Sequence, residues 1–423
     1  MHVEQVYLKI GNSKLISFKK LKDGRIVGTG ILNPLINKLR LFTMLYLQSN
    51  LYRNYNNLAR YKGMMVSNTF APPVGSRAQL RALYGLIKSQ ILGKPSPLAI
   101  TFAVTYDCMC NCVHCSAGKH YREGVPYLST EEAKDLIDQV QKVGMSIIAF
   151  TGGEPLMRKD IFELISHVNK KKTMPIMFTN GLLLTDENVD KLVKAGLYSI
   201  FVSIDSPIPE EHNKLRGMPG LYEQAIKGIK RLKSKGVLVG LSSYATRSST
   251  EKGMYKKIHE LGKELGVQNI ILFDGVPTGN ILKDTSELLT PSLHEEIHAY
   301  SANIFKNKII PPLSSQAWQN SVEGVLSGIG CLAANIQCYA SAYGDIAPCD
   351  FTPLAFGNIR DQSLKKIWKS MINHPAYNHR SDFCRMQNPD FRHNYIDPIP
   401  DDAKLPYPIE KLPHVEYRPW IKS

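Results

Sequence analysis

The sequence predicts an α/β protein whose central unit is a partial barrel of six parallel strands with helices between them, a TIM-like (β/α)6 arrangement. Three observations support this fold class. Apolar runs alternate with helical stretches between residues 97 and 274, polar motifs follow four consecutive runs, and the cysteines fall into two separate groups. The chain has 423 residues, of which 43% are hydrophobic, and this is enough for a core in two or three domains.

The first region, residues 1–96, is a basic N-terminal extension with 15 lysines or arginines and only two acids. Alternating apolar residues in 1–34 predict two or three short strands, and 35–62 and 76–93 predict helices. The second helix is basic and amphipathic, with Ser76 as its N-cap. Such an extension favours an anionic partner, which could be a lipid surface, a nucleic acid or an acidic peptide, unless it is only a solvated basic face. The amphipathic helix either lies on a membrane or packs on the domain that follows.

The barrel is assigned to residues 97–300. Its six strands are predicted at 98–105, 146–151, 174–179, 198–204, 237–243 and 268–274. Five helices are predicted at 129–143, 160–171, 186–195, 220–235 and 251–265. Strand–helix units of this kind connect parallel strands, so the carboxyl ends of all six strands should lie at one end of the barrel, where functional side chains collect.

Four cysteines follow the first strand within eight residues, at Cys108, Cys110, Cys112 and Cys115. No secretion signal precedes them, which makes metal binding or redox chemistry a better interpretation than disulfide bonds. Three thiolates separated by three and then two residues suit an iron–sulfur cube with one iron left open. The four sulfurs together also suit zinc, and the spacing alone leaves both metals open.

Glycine-rich and polar segments follow the next three strands. They contribute Gly152, Gly153, Glu154, Asn180, Ser203 and Asp205. Paired glycines let a backbone approach a ligand closely, the glutamate suits an amine, and the serine and aspartate suit ribose hydroxyls. Each segment alone is no stronger than a turn signal. Together they place polar groups at the same end of four consecutive strands, which predicts a binding site there.

In this order and spacing, the cysteine triad and the segment Thr151–Pro155 resemble the radical S-adenosylmethionine (SAM) superfamily, over roughly residues 97–280. The resemblance implies that Cys108, Cys112 and Cys115 hold a [4Fe–4S] cluster, while Cys110 has no family role. It also implies that SAM is bound by Gly152, Gly153, Glu154, Asn180, Ser203, Asp205, Arg216 and Ser242, with Tyr244 as an alternative to Ser242. The implied chemistry is reductive cleavage of SAM to a 5′-deoxyadenosyl radical, with the electron supplied by a donor such as a flavodoxin or ferredoxin.

The C-terminal cysteines resemble the opening of a SPASM or twitch domain, which carries auxiliary iron–sulfur clusters. We assign residues 301–400 to this small domain and 401–423 to an extended tail. A hairpin turning at Gly344 should bring Cys331 and Cys349 together. Few cysteines follow, so the resemblance implies at most one auxiliary [4Fe–4S] cluster, or none. Its ligands would be Cys331, Cys349 and Cys384, and Cys338 is either a weaker fourth candidate or a buried core thiol.

SPASM and twitch relatives mostly modify peptides or proteins, and the resemblance therefore implies a ribosomally made peptide as substrate, with its leader held by the basic extension. The alternative is a lipid or small metabolite at an anionic membrane surface. A third interpretation is a zinc-binding regulatory protein with its basic arm on nucleic acid, but it leaves the glycine–glutamate loop and the repeated polar strand ends unexplained. We expect a cytoplasmic protein, with peripheral membrane association as an option, because no signal peptide or membrane-spanning run occurs.

Overall fold

The structure of the chain, a computed structural model, covers most of the barrel and C-terminal region together with three strands near the N-terminus. The described residues are 5–10, 13–20, 26–29, 59–92, 95–315, 330–379, 381 and 383–413. Most of the helix predicted at 35–62 and the end of the tail lie outside these residues. No described helix combines the length and the apolar character needed to cross a membrane.

The basic extension begins with an antiparallel sheet, as its alternating residues predict. The strands are β1 (Gln5–Ile10), β2 (Ser13–Lys20) and β3 (Ile26–Thr29), with β2 in the middle. A hairpin of β4 (Ala59–Tyr61) and β5 (Met64–Val66) follows, and the prediction of a helix as far as residue 62 is therefore wrong at its end. The cause is local, because Lys62 and Gly63 have left-handed φ angles of 49° and 80° and form a tight turn.

Helix α1 spans Arg77–Leu92, close to the predicted 76–93. Ser76 caps it as predicted, since its hydroxyl accepts a hydrogen bond from the Gln79 amide at 3.1 Å. Side chains on its outer face include Leu80 and Tyr84, which are 58% and 67% exposed. The helix is therefore only partly covered by the rest of the protein.

Six parallel strands form the barrel in chain order and at the predicted positions. They are β6 (Ala99–Ala103), β7 (Ile147–Thr151), β8 (Met174–Thr179), β9 (Ser199–Ser203), β10 (Leu238–Ala245) and β11 (Asn269–Asp274). Alternate residues point to opposite faces. Ile100 and Phe150 lie in the core that includes the helices, and Ala149 and Ile176 lie in a separate core inside the barrel. The predicted partial barrel is confirmed.

Eight helices flank these strands in the described part of the chain. They are α2 (Thr130–Val143), α3 (Ile161–His167), α4 (Asp186–Ala195), α5 (Pro209–Arg216), α6 (Leu221–Ser234), α7 (Arg247–Glu251), α8 (Met254–Leu265) and α9 (Pro291–Lys306). The helix predicted at 160–171 ends early because Asn169 accepts a hydrogen bond from the Lys171 amide and turns the chain. The helix predicted at 251–265 starts later, since Gly253 has a φ of 65° and separates α7 from α8. The sequence did not predict α5, α7 or α9.

The sheet continues beyond the six predicted strands at both edges. Strand β12 (Leu313–Ser315) adds parallel to β11, and β13 (Gln337–Ala340) adds parallel to β6. Strand β14 (Ile346–Ala347) then pairs antiparallel with β13, and Gly344 in the turn has a φ of 91°. The predicted hairpin is therefore present, and it places the C-terminal region directly beside the first barrel strand. The division of the chain at residue 300 stays a prediction.

The C-terminal region packs as a small unit over this edge. It contains β15 (Leu354–Ala355), α10 (Leu364–Asn373), α11 (Pro389–Tyr395) and β16 (Tyr407–Pro408). Strand β16 belongs to the predicted tail and pairs with β15. The described part of the tail is thus tied to the domain by backbone hydrogen bonds.

The segment between β5 and α1 closes the amino end of the barrel. Phe70 packs on Phe178 and Phe201, with ring centroids 6.2 and 6.0 Å apart. The Ser199 hydroxyl donates to the Thr69 carbonyl at 2.6 Å. This plug blocks one end of the barrel, and the carboxyl end is left as the side on which a ligand can enter.

Candidate functional site

The carboxyl ends of the barrel strands surround a cavity of about 390 Å³. Nearly all of the residues predicted to bind cofactor line it. They are Cys108, Cys112, Cys115, Gly152, Gly153, Asn180, Ser203, Asp205, Arg216 and Ser242. The structure therefore brings together residues that are more than 130 positions apart, although their individual contacts with a cofactor stay predictions.

The cysteine segment is held in place by two other loops. The Asn111 amide donates to the Arg216 carbonyl at 2.9 Å, at the end of α5. Asn280 lies on the other side, where its side chain donates to the Cys112 carbonyl and its amide to the Cys115 carbonyl, both at 3.0 Å. The backbone of the cysteine segment is therefore held on both sides.

The thiols of this segment influence one another. A hydrogen bond from the Cys110 thiol lowers the pKa of Cys108, and a similar bond lowers the pKa of Cys112 to about 6, with Arg216 adding to the effect. Burial raises the pKa of Cys115 to about 11. The two thiols beside Cys110 therefore ionise most easily, and a thiolate is the form that binds metal. Cys110 is hydrogen-bonded to Cys108 and Cys112 and also lines the cavity. It therefore lies within the site, although the resemblance gives it no role.

The two glycines after β7 pack directly against the segment that follows β6. The Gly153 amide donates to the Thr105 carbonyl at 2.7 Å, and the Glu154 amide donates to the Asp107 carbonyl at 2.8 Å. A Cβ atom on Gly152 would lie 2.1 Å from the Thr105 oxygen, and Gly152 has a φ of 143°. Only glycine fits here, so the paired glycines are required by this close backbone approach.

The carboxylate of Glu154 accepts hydrogen bonds from residues around it. Its buried carboxylate accepts hydrogen bonds from the Leu156 amide (3.2 Å), the Thr179 hydroxyl (2.8 Å) and the Asn180 amide (2.9 Å). Burial raises the pKa of Glu154 to about 7, although these bonds act in the opposite direction. Glu154 thus ties the end of β7 to the end of β8 behind the cavity wall, and its contact with an amino group stays a prediction.

A buried ion-pair network lies on the opposite strands. Asp205 Oδ2 is 2.8 Å from Arg216 Nε and 3.3 Å from His114 Nε2. Burial raises the pKa of Asp205, but the charges of Arg216 and His114 lower it more, and the net pKa is well below its usual range. Arg216 also lines the cavity, and its contact with a carboxylate of SAM stays a prediction. The Ser203 and Ser242 hydroxyls lie beside the network, 3.0 Å apart.

His114 and Asp350 are among the cavity residues that were not predicted from the sequence. His114 lies within the cysteine motif and stacks on Tyr244, with ring centroids 4.8 Å apart and planes 7° apart. Asp350 reaches the cavity from the C-terminal region, and burial raises its pKa to about 6. The signal for Asp350 was its position directly after Cys349, but only the packing of β13 against β6 shows that it faces the barrel.

The C-terminal cysteines form a second group. Cys349 and Cys331 are buried, and the pKa of Cys349 is raised by burial, by Asp350 and by its neighbours Cys331 and Cys384. The pKa of Cys384 is raised to about 12 by burial and by Cys331. In Cys338, by contrast, burial alone raises the pKa, and this residue pairs with Ile100 in the sheet. Cys331, Cys349 and Cys384 thus influence one another electrostatically, whereas Cys338 lies in the core. The described residues contain no group of three or more cysteine, histidine or acidic side chains placed to hold a metal ion, and the role of these cysteines as ligands stays a prediction.

The residues present fit the cofactors that the sequence resemblance implies. Soft thiols and a glycine backbone line one cavity, which is the donor set expected for an iron–sulfur cluster and a close-fitting small molecule. Among the described residues, Asp205 Oδ1 is buried without a hydrogen-bond partner. A buried acceptor of this kind is costly unless a ligand satisfies it, and a ribose hydroxyl is a suitable donor.

Comparison with known proteins supports the same conclusion. Residues 102–246 match the model of the radical SAM superfamily, and residues 331–390 match SPASM, an iron–sulfur cluster-binding domain. The AdoMet-dependent heme synthase of Methanosarcina barkeri is 32% identical over 65% of this chain and 83% of its own. The mycofactocin maturase MftC of Mycobacterium tuberculosis is 24% identical over 67% and 73%.

The fold also resembles that of solved proteins. Streptococcus suis SuiB, bound to its precursor peptide SuiA, matches over 84% of each chain with a TM-score of 0.54 and 15% identity. The two family models describe an enzyme that uses SAM and [4Fe–4S] clusters, and the interpretation as a zinc-binding regulatory protein is therefore wrong. The chain belongs to the radical SAM superfamily, and a SPASM domain follows its barrel.

Proposed function

We propose that this radical SAM enzyme modifies a ribosomally made peptide or protein. When bound, the cluster and SAM supply the 5′-deoxyadenosyl radical that abstracts hydrogen from the substrate. In this proposal Cys108, Cys112 and Cys115 hold the first cluster, and the auxiliary cluster is held by Cys331, Cys349 and Cys384. A flavodoxin or ferredoxin donates the electron, and the reaction takes place in the cytoplasm.

The side chains around the cavity have separate tasks in this proposal. The backbone of Gly152 and Gly153 allows SAM to approach closely, and Asp205 accepts a hydrogen bond from its ribose. Arg216 keeps Asp205 ionised and in position. Asp350 is the carboxyl group that the C-terminal region brings to the cavity, and we assign it to contact with substrate. The segment with Thr69 and Phe70, which closes the amino end of the barrel, excludes water from that side of the cavity.

The observation that carries the peptide proposal is the sheet of the basic extension. In the described residues, β1 and β3 each pair only with β2, so each leaves an edge to which an extended peptide can add. The surrounding segment is strongly basic and suits an acidic leader. SuiB, whose structure holds a precursor peptide, and the maturase MftC are relatives that support this choice.

The test combines peptide binding with product analysis. Anaerobically reconstituted enzyme is incubated with SAM, a reductant and short acidic peptides encoded near its gene, and products are analysed by mass spectrometry. We expect one peptide to change mass, with one 5′-deoxyadenosine formed per event. Lys19→Glu with Lys20→Glu should weaken peptide binding, whereas the control Lys230→Glu on the exposed face of α6 should not. Equal binding by both variants contradicts a leader site on this sheet.

A lipid or small metabolite is the second candidate. Its support is the heme synthase relative, whose name denotes a small-molecule product, and the exposed Leu80 and Tyr84 on the basic helix α1. These features suit docking on an anionic membrane. Sedimentation of the full chain with anionic vesicles, lost in high salt and in Leu80→Glu with Tyr84→Glu, supports this candidate. If the protein does not sediment with the vesicles and does modify a peptide, this candidate is wrong.

A further inference from the structure

The segment directly after the cysteine triad forms one wall of the cavity. We call residues 116–122 the wall loop, because residues 116–119 and Tyr121 all line the cavity. The loop starts at Cys115, whose carbonyl accepts a hydrogen bond from the Gly118 amide at 3.1 Å. A displacement of the wall loop would therefore change the shape of the cavity and also the surroundings of Cys115.

Arg122, the last residue of the wall loop, ties it to the turn between β13 and β14. Its Nη2 atom lies 2.8 Å from Asp345 Oδ2, and the two side chains are only 23% and 13% exposed. Its guanidinium carbon lies 4.9 Å from the centroid of the Tyr343 ring, and its backbone amide donates to the Tyr343 hydroxyl at 2.7 Å. Arg122 thus binds the C-terminal region through an ion pair, a cation–π contact and a backbone hydrogen bond.

The described part of the tail contacts the same loop. The Leu405 amide donates to the Lys119 carbonyl at 3.0 Å, and the Lys119 amino group donates to the Asp401 carbonyl at 3.1 Å. Arg122 Nη2 also lies 3.4 Å from the carbonyl oxygens of Leu405 and Pro406. The wall loop of the barrel therefore takes its position from residues more than 200 positions later in the chain.

Loss of the Arg122 side chain should free the wall loop and leave the turn of the hairpin intact. The Asp345 carboxylate also accepts hydrogen bonds from the Ser341 hydroxyl at 3.0 Å and from the Asn358 side-chain amide at 2.9 Å, so it keeps partners of its own. The planar guanidinium, by contrast, reaches a carboxylate and two carbonyl oxygens at once, and a shorter neutral side chain does not replace it.

We propose that Arg122 is a positioning residue, which fixes the wall loop against the C-terminal region and so sets the shape of the cavity that binds SAM. Arg122 does not itself line the cavity and acts through the loop. The inference rests on the proposed placement of SAM in this cavity, and it holds for a peptide substrate and for a small molecule alike. It gives the C-terminal hairpin and the tail a task in the barrel that is separate from any auxiliary cluster.

The experiment compares Arg122→Gln with the wild-type protein, both as anaerobically reconstituted full chains. Hydrogen exchange followed by mass spectrometry reports the opening of the wall loop, and equilibrium dialysis reports SAM affinity. Because charged hydrogen bonds that hold the loop are lost, its amides should exchange about tenfold faster in Arg122→Gln. SAM affinity should fall at least about fivefold, since the loop and the cavity are coupled.

Arg360→Gln is the matched control. Arg360 also joins the C-terminal region to the barrel, since its Nε donates to Glu132 Oε1 at 2.6 Å and its Nη2 to the Tyr127 carbonyl at 3.3 Å. Neither Glu132 nor Tyr127 lines the cavity. Arg360→Gln should therefore leave the exchange of the wall loop and the SAM affinity at their wild-type values.

A second variant, Asp345→Asn, keeps every residue of the wall loop and removes only the charge that Arg122 binds. Faster exchange confined to residues 116–122, together with weaker SAM binding, should appear in this variant too. General destabilisation would instead accelerate exchange in helix α6 as well, and that result overturns the proposal. Unchanged exchange of the wall loop in both variants overturns it, as does unchanged SAM affinity with a loop that exchanges faster.

Failure of the underlying placement of SAM gives a different result. Asp205 lines the cavity on the side of β9, away from the contacts of Arg122. If Asp205→Asn binds SAM with wild-type affinity, the proposed placement of SAM in this cavity is wrong. If Asp205→Asn weakens SAM binding and Arg122→Gln does not, the placement stands and the role of Arg122 is refuted.

Discussion

Gly152→Ala tests the close backbone approach on which the cavity depends. Gly152 has a φ of 143°, which an L-residue adopts only with strain of about 1–3 kcal/mol. The new Cβ would also lie 2.1 Å from the Thr105 oxygen, and the adjacent 2.7 Å hydrogen bond from Gly153 prevents an easy retreat. Overpacking of this kind costs about 1–3 kcal/mol more. We therefore expect a total loss of about 2–6 kcal/mol.

Gly144→Ala is the matched control, because Gly144 has a φ of 105° but no atom within 4 Å of the position that a Cβ would take. It should show the backbone strain without the steric cost. Urea unfolding of the metal-free proteins gives the two free energies of unfolding. Equilibrium dialysis of the reconstituted proteins gives SAM affinity, which we expect to fall at least about tenfold in Gly152→Ala alone.

Either of two results would refute the steric explanation. If Gly152→Ala unfolds at the same urea concentration as Gly144→Ala, the loops after β6 and β7 can move apart to accept the Cβ atom without a loss in the free energy of unfolding. If Gly152→Ala is less stable and yet binds SAM like the wild-type protein, the loop does not shape the binding cavity.

Three further predictions concern the two sites. Asp205→Asn leaves Arg216 buried without its counter-charge, and should cost about 3–5 kcal/mol in unfolding experiments and weaken SAM binding; an equally stable variant contradicts this. In the variant that lacks the first cysteine triad, Cys338→Ala should keep its iron while Cys349→Ala loses it, and loss of iron in both would restore Cys338 as a ligand. Glu154→Gln removes a carboxyl group whose pKa is raised by burial from 4.5 to about 7. The protonated carboxyl stabilises the folded wild-type protein fully below pH 4.5, and this stabilisation is lost as the pH rises through 7. The variant should therefore gain up to about 3 kcal/mol relative to wild type over this range, and a flat difference between their unfolding free energies would show that Glu154 stays ionised.

The sequence predictions were most accurate where a local pattern decides the structure. The six barrel strands, helix α1 with its Ser76 cap and the turn at Gly344 follow from periodicity and turn residues, and all of them are present. The helix predicted as far as residue 62 was wrong at its end, because two left-handed residues in succession leave no sign in apolar periodicity. Strand β12 was missed, since three residues carry too little pattern to be recognised.

The residue types at the site could be predicted, but the direction of each side chain could not. The resemblance implies that Glu154 contacts the cofactor, and this stays a prediction; what the sequence did not show is that its carboxylate also accepts hydrogen bonds from the end of the neighbouring strand. Arg216 was expected to reach SAM; it lines the cavity and also pairs with Asp205, which the sequence did not predict. Each of these bonds joins segments that are distant in sequence or lie on adjacent strands, and their geometry therefore depends on sheet register.

The sequence by itself determined the chemistry of this protein. Three thiols at short fixed spacing and two adjacent glycines are local features, because their ability to bind metal or to let a backbone approach depends on residue type and spacing alone. The tertiary structure decided which groups meet. Asp350 reaches the cavity and Cys338 is left in the core because β13 pairs with β6. That pairing joins residues more than 200 positions apart, and no local pattern in the chain records it.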